Sequence, residues 1–101
     1  MPEMYFDVRW PDDTTQRCYS PSTVVEQYFT AGDTYELADF LERSRTALEI
    51  AGERVREKFG FSCTGASGQL EQIEETVRHR AFPADSKVTV EALLDADGIP
   101  R

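Results

Sequence analysis

The stretch YELADFLERSRTALEIAGERVREKFG, Tyr35 to Gly60, decides the fold. Leu37, Leu41, Ser44, Leu48, Ala51 and Val55 are spaced four, three, four, three and four residues apart, which places them on one face of a helix. Phe40, Ala47 and Phe59 widen that face. Thr34 is placed to cap the helix start, and Gly60 to end it in the left-handed conformation that glycine accepts cheaply. Gly52, inside the helix, costs about 1 kcal/mol relative to alanine; it is either a place where another helix approaches closely or a tolerated blemish. The other face carries Glu42, Arg43, Arg45, Glu49, Glu53, Arg54, Arg56, Glu57 and Lys58 and reads as a solvated surface.

On the N-terminal side, Met4, Phe6, Val8 and Trp10 alternate with Tyr5, Asp7 and Arg9, the period of a half-buried strand. Pro11-Asp12-Asp13-Thr14 supplies turn chemistry, and Thr15 to Tyr19 reads as the returning strand of a hairpin. Ser20-Pro21-Ser22 then predicts a short helix to about Phe29, with serine as cap and proline in its first turn. Thr30-Ala31-Gly32-Asp33 breaks it before the long helix.

On the C-terminal side, Phe61-Ser62-Cys63-Thr64 forms a tight junction into a third helix. Its residues Ala66, Leu70, Ile73 and Val77 repeat at four, three and four, so it can lie antiparallel to the long helix. Lys87 to Leu93 alternates again and reads as a strand joining the hairpin. Residues 1–94 form one domain, and Asp95 to Arg101 a flexible tail. The order is β-β-α-α-α-β: an α+β fold with a small, mostly antiparallel sheet covered on one face by helices. Tyr5, Arg9, Arg17 and Tyr19 fall on the other face, where self-association into a homo-oligomer would cover the sheet.

Composition bounds the function. The chain has 101 residues, eleven basic against nineteen acidic, and a formal charge of −8. Such a surface is unsuited to nucleic acid, whose phosphates need basic partners, and to anionic membranes. The start Met1-Pro2-Glu3-Met4 has no basic or apolar leader character and no apolar run reaches spanning length, so a cytoplasmic protein is expected. Cys18 and Cys63 then read as reduced thiols.

Those thiols are the candidate catalytic residues. Cys63 precedes the third helix, whose N-terminus would stabilise a thiolate. His79, the one histidine, lies sixteen residues on, about 24 Å away along a continuous helix, and is no partner for it within one chain. No C-x-x-C or H-x-x-x-H spacing is present, so neither metal nor cofactor is expected. Gly65-Ala66-Ser67-Gly68 has the G-x-x-G form of an RNA clamp, but Glu71, Glu74 and Glu75 follow it, the wrong charge for a nucleotide backbone. Pro2 would become N-terminal on loss of Met1, as in tautomerase-like enzymes, but the remaining pattern is unlike theirs.

Several blocks together resemble a known family. They are Met1-Pro2-Glu3-Met4, Val8-Arg9-Trp10-Pro11-Asp12, Cys18-Tyr19-Ser20-Pro21-Ser22, Leu37-Ala38-Asp39-Phe40, Glu42-Arg43-Ser44-Arg45, Ala47-Leu48, Glu53-Arg54-Val55-Arg56 and Phe59-Gly60-Phe61-Ser62-Cys63. The sequence, from about Met1 to Val90, resembles the small bacterial nitrogen-starvation-response proteins encoded in nitrilase-containing gene clusters. The resemblance implies a context: neighbouring genes for a nitrilase, a radical-SAM protein, an acetyltransferase-like protein and a flavoprotein. It carries no catalytic residues over.

The resulting expectation is a non-enzymatic accessory or regulatory protein that acts on protein partners from the same gene cluster. The alternative is a binding protein for a small anionic metabolite. In that reading Arg43 and Arg45, flanking Ser44, reach the helix start at Ser20 and Ser22 and make a basic, hydroxyl-lined pocket. A thiol-dependent enzyme using Cys63 or Cys18 is the third reading.

Overall fold

A computed structural model describes residues 3–60 and 64–101 of the chain. Four strands form one antiparallel sheet: β1 (Met4–Arg9), β2 (Thr15–Ser20), β3 (Thr34–Glu36) and β4 (Lys87–Asp95), in the spatial order β2-β1-β4-β3. Two helices, α1 (Leu37–Phe59) and α2 (Thr64–Arg80), complete the α+β architecture. α1 lies against the sheet, and α2 packs antiparallel to it, with Arg45 beside Glu74 and Gly52 beside Ala66.

The alternation in β1 sets which face is buried. Met4, Phe6, Val8 and Trp10 are buried, and Phe6 faces Cys18 on one side and Leu93 on the other. Their partners from α1 are Leu37, Phe40, Ala47 and Leu48. Aromatic rings join the layers: Trp10 stacks on Phe82 and meets Phe40 edge-on at 5.5 Å, while Phe29 lies 5.7 Å from Phe6 and 5.4 Å from Phe40. Each such pair adds about 0.5–1.5 kcal/mol beyond its buried area.

Two elements differ from the sequence expectation. The short helix predicted from Ser20 to Phe29 is a single 3-10 turn, Thr23–Gln27, capped by Ser22, whose Oγ accepts from the Val24 amide. Thr23, Val24 and Val25 are β-branched and stiff, and burying Val24 and Val25 takes only one turn. Ser20 belongs to β2. Likewise Thr34 does not cap α1. Thr34–Glu36 form β3, paired with Lys87–Thr89, and α1 begins at Leu37, whose amide bonds the Ser86 carbonyl. Tyr35 suits a strand: its ring packs on Phe29 and under Arg43, and its hydroxyl accepts from the Thr30 amide.

Gly60 ends α1 with φ +78°, and its amide bonds the Arg56 carbonyl, as the pattern predicts. Phe59, counted above with the apolar face, is 52% exposed. The expected junction Phe61-Ser62-Cys63 and the residues Met1 and Pro2 lie outside the described residues. No described helix is long and apolar enough to cross a membrane.

The outer sheet face is polar and internally paired. Arg17 makes a two-pronged contact with Asp7, Arg9 pairs with Glu91 and Asp13, and Tyr19 donates to Glu3. Glu91 is the extra residue of a bulge opposite Asp7 and Val8. After Asp95 the chain, read above as a loose tail, turns at Gly98 and runs back along β4. Pro100 pairs with Leu94, the Arg101 amide bonds the Leu93 carbonyl, and the Arg101 guanidinium meets Glu26.

Candidate functional site

The sequence-derived candidates do not converge. Ser20 is fully buried, and its hydroxyl donates to the Ser22 carbonyl at 2.6 Å. Ser22 caps the 3-10 turn, and the cation that reaches it is Arg54, whose Nη1 lies 3.3 Å from its Oγ. Arg43 turns elsewhere. It bonds Asp39 and the Tyr28 carbonyl (2.7 Å) and lies 5.0 Å above the Tyr35 ring. Arg45 crosses to α2 and pairs with Glu74. Residues 43 and 45 flank Ser44 in sequence, but two steps along a helix rotate them about 200° apart around its axis. Arg54 sits next to Val55 on the edge of the buried stripe, the position from which a long side chain reaches around the helix.

Cys18 is buried between strand and helices, and burial, with a smaller effect from the Asp7 charge, pushes its thiol up to about 12. At neutral pH it is a protonated packing group. Cys63 lies outside the described residues. His79 is exposed.

Polar groups the sequence did not single out tie the elements together. Arg80, in the last turn of α2, bonds Asp12 Oδ2 and Thr14 Oγ1 in the β1–β2 turn. The Asp12 carboxyl is held below its usual range by the Thr14 hydroxyl first, then by the Thr14 amide and Arg80. Gln69 is buried, with its carbonyl on the Tyr19 amide of β2 and its amide group on Gln72. Its place was legible: Gln69 is three residues after Ala66 and four before Ile73, so it shares their face.

The concave surface of most interest lies between α1 and α2. It is an open groove of about 650 Å³. Leu48, Gly52, Ala66 and Leu70 make its apolar floor; Glu49, Glu53, Arg56 and Ser67 line its sides. Gly52 lies against Ala66 here: a Cβ built on it would stand 3.5 Å from the Ala66 Cβ, an ordinary van der Waals contact. Arg56 is occupied by Glu53 and Arg45, one end along, by Glu74. The groove thus combines an apolar floor with charged walls.

The family model described as nitrogen starvation-induced protein NitG matches residues 5–93. The chain belongs to the NitG family. The match takes in the sheet but for Met4 and the last two residues of β4, and both helices, so the α1–α2 groove lies within the NitG region. Comparison with curated proteins and with solved structures gives no match.

Proposed function

We propose that this NitG-family chain is a non-enzymatic accessory or regulatory protein of the nitrogen-starvation response. It acts in the cytoplasm by binding a protein partner, an enzyme of the nitrilase-containing gene cluster in which its relatives are encoded. The observation that carries this reading is the use of the chain's polar groups. Arg43, Arg54 and Arg80 each join one element to another, the Cys18 thiol is held protonated, and the open groove offers an apolar floor rather than a catalytic pair. Binding energy of a protein partner comes from such apolar anchors inside a polar rim.

The test is recovery of the tagged chain from nitrogen-starved cells, with mass spectrometry of proteins and small molecules that come with it. An enzyme of the cluster in near-stoichiometric amount is the expected result. A bound anionic metabolite with no protein would overturn the reading in favour of a ligand-binding protein.

A further inference from the structure

We propose that α2 is the movable element of this fold: it opens as a unit while the sheet and α1 stay folded, and its opening uncovers the inner face of β2. The first ground is how little apolar packing holds it. Of the fifteen described buried residues that form the core cluster, α2 supplies one, Ile73, with Leu70 and Val77 packed partly against the cluster. The others lie in the sheet, α1 and the segments between them, so the core is built almost without α2. Ala66 adds its contact with Gly52. The remaining ties are polar. Arg45 meets Glu74 and Arg80 meets Asp12 through side chains a third to a half exposed, where water competes and an ion pair contributes little. Gln69 and Gln72 bond the Tyr19 amide and the Gln16 side chain of β2.

The helix is also weak in itself. Gly65 and Gly68 fall in its first two turns, where glycine loses more backbone freedom than alanine would. Ala81, just past its end, sits at φ +48°, a left-handed cap that suits glycine and strains alanine. An element with few buried apolar contacts and exposed polar ones opens before the rest of a fold. Position then decides what is uncovered. α2 lies over β2, whereas α1 lies over β3 and β4. Gln72 and Gln69 engage β2 at Gln16 and Tyr19, on either side of Cys18, so the buried Cys18 thiol sits beneath α2.

The experiment is amide hydrogen exchange of the whole chain, with thiol labelling, at urea concentrations below the unfolding transition. Cys63→Ser leaves Cys18 as the one thiol to be labelled. The Ile73 and Tyr19 amides and the Cys18 thiol should report one opening with a shallow urea dependence. Its population should be at least about tenfold above that of the steep, global opening reported by the Phe6 and Ala47 amides. Val88, in β4 beneath α1, separates the two. Val88→Ala weakens the body whether α2 is docked or open. It should therefore raise the global opening about tenfold and leave the Ile73, Tyr19 and Cys18 rates unchanged. If Val88→Ala does not fold, the urea slopes of the parent chain decide alone. Three outcomes would overturn the inference: equal protection and equal slopes at all these positions, Cys18 labelled only through the global opening, or Val88→Ala moving both sets together. Each would make α2 an integral part of one cooperative unit.

Discussion

Gln69, buried in α2, accepts a hydrogen bond at 2.9 Å from the main-chain amide of Tyr19 on the edge strand β2. An edge strand presents unpaired amides that invite another chain. Here a helix supplies the missing acceptor, and Gln72 holds it in place by accepting from the Gln69 side-chain amide at 3.2 Å. The Gln72 side-chain carbonyl also accepts from Gln16, three residues before Tyr19 on β2. At the other side of the sheet, β4 is paired by β3 over Lys87–Thr89 and by the returning chain at Leu93–Asp95. Replacing Gln69 by leucine keeps the volume and orphans the Tyr19 amide, so Gln69→Leu should cost about 1–3 kcal/mol. Urea denaturation measures the loss, and faster hydrogen exchange at the Tyr19 amide locates it.

Gly52 is a different case, because the helix contact that it permits does not require it. A Cβ there would rest at ordinary contact distance, 3.5 Å, from Ala66. Gly52→Ala therefore removes the cost of glycine in a helix without a clash, and should raise stability by about 0.5–1 kcal/mol. A thermal melt that falls instead would mean the helices sit closer than this.

Ser44 lies on the buried face of α1, 1% exposed, and its Oγ has no hydrogen-bond partner among the described residues. A buried hydroxyl without a partner is destabilising, and serine is also a poorer helix former than alanine. Ser44→Ala should stabilise the fold by about 1 kcal/mol in denaturant titration. The same change should leave partner recovery unaltered.

Cys18 links stability to alkaline pH. Its thiol stands near 12 in the folded chain against about 8.5 for a free thiol. The unfolded chain releases this proton first, so the contribution is fully present below about pH 8.5 and is lost as pH rises toward 12. The slope is about 1.4 kcal/mol per pH unit across that window. Cys18→Ala should cost stability at pH 7, where it leaves a cavity, and should flatten the decline between pH 9 and 11 relative to the parent chain. Equal slopes would contradict the burial of this thiol.

Much of this was legible in the sequence. The four-three repeat from Leu37 to Val55 fixed α1, and the period-two pattern from Met4 to Trp10 fixed the face that β1 buries. What escaped was decided by contacts distant in sequence. Thr34 is a good cap by its own chemistry, but Lys87–Thr89 offer it a strand, and pairing with a distant segment leaves no local mark. Ser20 and Pro21 look like a helix start until Ser20 is claimed by β2, where it faces Met4. The arginines were misjoined for a geometric reason. A basic cluster in sequence, Arg43 and Arg45, diverges on a helix, whereas Arg54, 32 residues from Ser22 in sequence, reaches it around the helix edge.

The measurement that tests the central claim most directly is amide hydrogen exchange of the chain alone and with the enzyme recovered from nitrogen-starved cells. The account predicts added protection within residues 45–56 and 64–74, the two walls of the groove, and unchanged exchange in the β1–β2 hairpin. Protection confined to the hairpin and the outer sheet face, with the helices unaffected, would contradict it.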